Sequence, residues 1–310
     1  MATASAPGAT RSLTGNRARQ RREAWIGRAF FGAAFMSVVI TGFIVLTVLG
    51  QAVEFLSEID LTQLVAVGWF PRRGMFDVLT LFIGTILVTV IAMLIAGPIG
   101  FLSAIYLSEY ASPRLRSVVK PILEVLAGIP SVVLGFFALT FINPTIVQTF
   151  VPGAIGFNLA AAAIAVGILT IPLVATISED SMKAVPQSLR EASYGLGARR
   201  VTTATRVVVP AAVSGIVAAM ILGISRAIGE TMVVAIAAGA SGGSLRSVDP
   251  FGPGQTMTAA MAALATGSDQ VTGDHYAFQS LFFVGLLLFV ITLSLNTVGD
   301  TFVQRVRQTY

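Results

Sequence analysis

The chain has 310 residues, of which 55% are hydrophobic and 11% charged, whereas an ordinary soluble domain is roughly 25% charged; most of it must be solvated by lipid. It contains no cysteine and a single histidine, His275, which excludes disulfides, thiolate metal sites, a cysteine nucleophile and a zinc site built on histidines. The formal net charge of +5 would suggest nucleic acid for a soluble protein, but the basic residues cluster beside apolar runs, as orientation signals do, so no nucleic-acid partner is expected.

Residues 1–28 are rich in Ala, Ser, Thr, Gly and Arg and show no apolar pattern; they are expected to form a disordered basic tail. The next run, Ala29 to Gly50, is longer than the core of a signal peptide and no A-x-A-like site follows it, so it is read as a retained span. Further runs able to cross roughly 30 Å of hydrocarbon lie near 78–107, 122–141, 158–178, 211–239 and 278–298. An all-α membrane protein of six transmembrane helices follows, with residues 29–307 as one transmembrane domain. The second and fifth runs exceed the ~20 residues a span needs, which predicts tilt or extension. Pro98, between Gly97 and Gly100, and Pro130 in "AGIPSVVLG" predict helix breaks that suit a cavity lining and a packing kink equally. Glu124 follows Lys120 at i+4, which predicts an interfacial ion pair before a substrate role.

Sidedness follows from Lys and Arg. The tail holds Arg11, Arg17, Arg19, Arg21, Arg22 and Arg28; the 106–120 loop Arg114, Arg116 and Lys120; the 179–206 loop Lys183, Arg190, Arg199, Arg200 and Arg206; the C-terminus Arg305 and Arg307. All of these fall on one side of a six-span chain, and only Arg72, Arg73 and Arg246 on the other, which predicts both termini in the cytoplasm. The outward loops carry Glu54, Glu58, Asp60, Asp77, Asp249, Asp269 and Asp274, an acidic outer surface.

The longest inward loop contains "REASYGLGARRVTTATRVVVP", residues 190–210. Leu189, Ala192 and Leu196 recur at helical spacing, Pro186 can start a short helix, and Gly195 and Gly197 permit a sharp exit. Periodicity alone allows a plain connecting helix. The spacing, however, resembles the loop motif of bacterial ABC importer permeases: Glu-Ala-Ala, three residues, Gly, nine residues, Ile-x-Leu-Pro. Here Glu191, Ala192 and Ser193 precede Gly197 by three residues, and nine more lead to Val207, Val208, Val209 and Pro210. Ser for Ala and Val for Ile and Leu are the departures. The resemblance implies the type I importer fold, with 179–209 as a coupling loop docked on an ATPase through Glu191, Ala192 and Gly197, and Pro210 closing the motif. "IYLSEYASPRLRSVVKPILEVLAGIPSVVLGFFAL" (105–139) and "GISRAIGETMVVAI" (223–236) are similar to the phosphate-specific importer permeases, and Ser-Arg-Ala-Ile-Gly-Glu-Thr (225–231) to the PstC-type subunit more than the PstA-type. What that likeness implies is a phosphate importer in the bacterial plasma membrane, comprising this chain, a PstA-type permease, a PstB-type ATPase dimer and a PstS-type phosphate-binding protein.

A nucleotide-cradling P-loop must end in Gly-Lys-Ser/Thr. The only lysines, Lys120 and Lys183, follow Val119 and Met182. The chain is therefore read as no enzyme and as binding no cofactor or metal itself, with ATP and magnesium held by the partner ATPase.

Within the fifth run, Ala211, Gly215, Ala219, Gly223 and Ala227 recur every four residues, a stripe that admits close helix packing. Arg226 and Glu230 lie in the adjacent column, and Ser225 precedes them. Charges at membrane depth are costly and are functional by default. Arg226 offers a permanent cation with planar donors suited to an oxyanion, and Glu230 is expected to orient it and keep the site weak enough to release. The three form the expected substrate pathway; the competing reading is an i,i+4 ion pair that only locks helices. Rival functions are an importer for sulfate or molybdate, a proton-coupled secondary transporter using Glu230, and an intramembrane enzyme, for which the spans lack histidine, cysteine and paired aspartates.

Overall fold

The computed structural model describes residues 17–65, 68–239, 244–266 and 275–306. The chain divides into two units, Met1–Gly50 and Gln51–Tyr310. The first unit is helical from Arg17 onward, within α1 (Arg17–Glu58). Residues 17–28 are therefore helix where the composition suggests a disordered tail, because their Arg, Gln, Glu and Ala are good helix formers contiguous with an apolar span. The tail before Arg17 lies outside the described residues. Phe30, Phe31, Phe35 and Phe43 of α1 are exposed, as a helix apolar all round requires of a lipid-facing surface.

The second unit begins with the end of α1 and the 3-10 turn Leu61–Val65, followed by a two-stranded antiparallel hairpin, β1 (Trp69–Phe70) and β2 (Met75–Phe76), turned by Pro71–Arg73 and closed by Gly74 at φ +69°, a left-handed conformation suited to glycine. Then come α2 (Val78–Ile105), prolonged by π-helical Tyr106–Tyr110, and α3 (Pro113–Ala127), N-capped by the Ser112 hydroxyl, which accepts from the Leu115 amide. Next, α4 (Ser131–Phe137) runs through π-helical Ala138–Val147 into α5 (Gln148–Phe150), and α6 (Leu159–Lys183) is capped by Asn158. The basic end carries α7 (Gln187–Gly195), α8 (Arg200–Thr203), π-helical Ala204–Val208 and α9 (Val209–Ala211). Finally α10 (Val213–Gly229), α11 (Met232–Ala237), α12 (Met257–Thr266) and α13 (His275–Val306) complete the described chain.

Among the described residues, five helices are long and apolar enough to cross a membrane: Arg21–Glu58, Val78–Tyr110, Ser131–Phe150, Leu159–Lys183 and Tyr276–Arg305. The pair Arg200–Ala211 and Val213–Gly229, bent by 72°, makes six if counted as one span. Two boundaries differ from the sequence reading. The third span is 131–150 rather than 122–141, because Gly128 and Pro130 end α3, and Asn143 and Pro144 disguise an apolar continuation. Pro130 lies at the N-cap of α4, separating two helices instead of kinking one. The fifth run, 211–239, is not one helix: it bends at Ala212 and stops at Gly229. Pro144 falls within a π-helical stretch, and Pro210 follows another; widening the helix accommodates a ring that has no amide and clashes with the carbonyl four residues back.

The core centres on α6, whose Ala160–Ala163 are all buried. It packs on α2 where side chains are small: a Cβ on Gly100 would stand 2.8 Å from Val174 Cβ, and one on Gly167 3.0 Å from the Ala92 carbonyl. The small-residue stripe of α10 joins the same packing, with Gly215 over Ser181 and Gly223 against Val174 and Met93; Ala211 lies before the bend. The 240–276 stretch is more than an outward loop. Gln255 and Thr256 are buried, and the Met257 amide donates to Thr85 Oγ1 at 3.0 Å, so α12 begins inside the protein. Ten Ala-rich residues are too short to register as a span. A Cβ at Gly84 would run into the Gln255 carbonyl oxygen. Gly84→Ala is therefore expected to displace the entry to α12 and lower stability by about 1–3 kcal/mol. Thermal unfolding of the purified permease in detergent checks this; an unchanged midpoint would show that the close approach does not persist in solution.

Candidate functional site

Arg226 occupies the last turn of α10, about 20 Å along the helix from Val213 at ~1.5 Å per residue. The chain becomes extended at Glu230 (φ −70°, ψ 125°) and restarts as α11. Arg226 is half-buried, and its Nε is enclosed with no hydrogen-bond partner among the described residues. Glu230 turns to the start of α11: its Oε1 accepts from the Val233 amide at 3.4 Å, and its carbonyl accepts from Thr258 Oγ1 at 2.7 Å. A carboxylate suits that position because the first amides of a helix lack intrahelical partners. The i,i+4 column that joins Arg226 to Glu230 in the sequence ends at Gly229, and among the described residues no ion pair links them. Ser225 Oγ donates to Asn296 Oδ1 at 2.9 Å, fastening α10 to α13.

At the basic end, Pro186 precedes α7 and Gly197 takes φ +78°, the sharp exit that its missing Cβ allows. Glu191, Ala192 and Gly197 are exposed, and Leu196 is 90% exposed. Ser193 alone of the Glu-Ala-Ser triplet faces inward, its hydroxyl 2.8 Å from Thr203 Oγ1. A hydroxyl at this position therefore finds a partner that the Ala of the motif could not use. Pro210 is exposed in α9, immediately before the 72° bend.

The charges beneath α7 form a network; apart from pairing Lys120 with Glu124, the sequence reading treats its cations only as orientation signals. Glu179 on α6 is fully buried and ion-paired to Arg116 at 3.5 Å, Lys120 at 3.1 Å and Lys183 at 2.5 Å. Lys120 also bonds Asp180 at 3.0 Å. That corrects the expected Lys120–Glu124 pair: Lys120 turns to α6, and Glu124 is exposed on α3. Hydrogen bonding to Asp180, then to Glu179, raises the Lys120 pKa against the opposing effect of burial. Arg190 of α7 pairs with Glu109 at the end of α2, 3.0 Å away. The i,i+4 spacing of Glu179 and Lys183 could have signalled part of this, but the Arg190–Glu109 pair spans 81 residues and leaves no local trace.

At the opposite end, Asp77 is buried and takes Arg246 on both carboxylate oxygens, at 2.8 and 3.1 Å, together with Thr80 Oγ1 and the Gly68 amide. Burial pushes its carboxyl up, but the bonds from Arg246, Thr80 and Gly68 outweigh this and hold it below the ordinary range. The β-bridge between Trp69 and Ser244 joins the same two segments.

Residues 96–308 match the family model described as binding-protein-dependent transport system inner membrane component. Relatives include a probable ABC transporter permease protein, YqgH, of Bacillus subtilis, 34% identical over 77% of this chain and 74% of its own length. The phosphate transport system permease protein PstC of Mesorhizobium japonicum is 31% identical over 88% of each chain, and PstC 1 of Mycobacterium tuberculosis 32% identical over 77% and 75%. Among solved structures, a chain of a bacterial alginate ABC transporter aligns over 94% of this chain and 98% of its own, with a TM-score of 0.65 at 14% identity. A chain of the MetNI methionine ABC transporter aligns over 77% and 97%, with a TM-score of 0.55 at 20% identity. These likenesses bear out the type I importer permease fold and a multi-pass inner-membrane location. The chain belongs to the family of inner membrane components of binding-protein-dependent transport systems and is an ABC importer permease.

Proposed function

We propose that this permease carries inorganic phosphate into the cytoplasm. Its assembly comprises a PstA-type permease, a PstB-type ATPase dimer holding ATP and magnesium, and a PstS-type phosphate-binding protein on the outside. The observation that carries the reading is Arg226, a cation at a helix break within the membrane, whose enclosed Nε has no hydrogen-bond partner and which no carboxylate neutralises at contact among the described residues. A guanidinium presents planar, permanently charged donors that match a phosphate oxyanion. One such contact, open on one side, is weak enough to be left as well as entered. The resemblance to PstC permeases supports the same substrate.

On this reading the basic end, with α7 and both termini, faces the cytoplasm. Glu191, Ala192, Leu196 and Gly197 form the exposed face that meets the ATPase. Closure of the ATPase dimer moves α7, the spans rock outward, and phosphate passes from its binding protein to the Arg226 region between the two permeases; hydrolysis resets the inward state. The test is radiolabelled phosphate uptake at low external phosphate in cells lacking this chain. Complementation should restore it, with sulfate and molybdate uptake unchanged. Restoration of sulfate or molybdate uptake instead would reassign the substrate within the same importer class.

A further inference from the structure

We infer that Arg190 and Glu109 form the tie by which movement of α7 reaches the membrane helices, so that they are positioning residues for transport. The inference rests on reading α7 as the ATPase-docking helix, and does not depend on which oxyanion is carried. Arg190 projects from α7 away from the exposed docking face, with its side chain only 12% exposed. One guanidinium grips two helix ends. Its Nη2 donates to the Met182 carbonyl at 2.8 Å in the last turn of α6 and its Nη1 to the Val185 carbonyl at 2.6 Å two residues past that helix, while Nη2 also reaches Glu109 Oε1 at 3.0 Å on the prolongation of α2. Glu109 is 4% exposed and is steadied by Ser108 Oγ at 2.9 Å. Arg116 donates to the Leu107 and Ser108 carbonyls, which fixes the same turn to α3.

These contacts select the pair over the rest of the interface. Leu189 adds apolar packing against the cluster of Ala104, Met182 and Val185, and Ser193 bonds Thr203. Apolar packing can slide when α7 tilts, and the Ser193 bond leads to α8 and not to α2 or α6. A buried, charge-assisted, forked contact resists both shear and separation. It also joins α7 to α2 and α6, the helices packed face to face at Gly100 and Gly167. An ammonium at position 190 could keep Glu109 but could not reproduce the planar fork to both carbonyls.

The test is ATP hydrolysis by the purified four-component complex in lipid, with and without the binding protein loaded in turn with phosphate, sulfate or molybdate. The stimulation by loaded binding protein must pass through the permease. Wild type should show stimulation of about fivefold or more, the scale of an ordinary coupling free energy. Glu109→Gln should retain basal hydrolysis and copurification of the ATPase but lose the stimulation, and Glu109→Asp, which keeps the charge on a shorter arm, should fall between. Arg190→Lys should resemble Glu109→Gln. Full stimulation in Glu109→Gln would overturn the tie. So would failure of both Glu109 variants to assemble, since the pair would then serve only folding. Stimulation by sulfate or molybdate and not by phosphate would sink the phosphate reading while leaving the loss in Glu109→Gln as support for the tie.

Discussion

Arg226→Lys is expected to lower the maximal rate of phosphate uptake about tenfold, a change of about 1.4 kcal/mol in the limiting step, while the ATPase still copurifies with the permease. Lysine preserves the charge, so an effect that depends on charge alone would survive. What lysine removes is the planar, two-pronged donor set, replaced by a compact, strongly hydrated ammonium on a flexible stem. Among the described residues no carboxylate contacts Arg226 to hold it, and Glu230 is engaged at the start of α11. A lysine there would therefore be free to turn toward water. Arg226→Gln, which keeps planar donors without the charge, should fall further. Near-normal uptake by an assembled Arg226→Lys complex would show that the forked geometry is dispensable and that position 226 supplies only a field, or only packing.

The second large effect concerns Glu179. Glu179→Gln should cost about 2–3 kcal/mol of stability, seen as a fall of roughly 5–10 °C in the unfolding midpoint of the purified permease. The carboxylate is fully buried, and three cations, Arg116, Lys120 and Lys183, converge on it. Without it they repel one another, and Asp180 is ion-paired to Lys120. Their side chains keep 28–33% exposure, so water offsets part of the loss, and the figure is set at the low end of what breaking a buried pair costs. The raised pKa of Lys120 fixes the pH window. Its contribution is full below the unfolded value of about 10.4 and is lost only as pH rises through the higher folded value, so the part that Lys120 plays should be insensitive to pH near neutrality. An unchanged midpoint in Glu179→Gln would mean that the cations are adequately solvated without their common partner.

Asp77 behaves oppositely. Its folded pKa is depressed, so its contribution is present above the unfolded value of about 3.9 and disappears as pH falls through the folded one. Protonation of Asp77 therefore weakens one end of the protein in acid, and deprotonation of Lys120 the other in alkali.

Composition and period determined the class of this protein, the approximate positions of most of its spans and the short helix at Gln187–Gly195, because each is a local property. A run of apolar residues must be helical in lipid whatever its neighbours do, since no water is there to satisfy its amides. The Glu191 to Pro210 motif was equally legible, and so was the presence of a charge pair at 226 and 230. Tertiary structure decided how those charges are used. A break after Gly229 separates Arg226 from Glu230, and no periodicity shows it, because Gly229 and Thr231 fit a helix or a break equally well. It also decided that α12 starts inside the protein, with Met257 bonded to Thr85, and that Lys120 turns to Glu179 and not to Glu124. Long side chains choose partners by proximity in space, and in a lipid-embedded bundle the carboxylate that wins is the one held by a neighbouring helix where water is scarce.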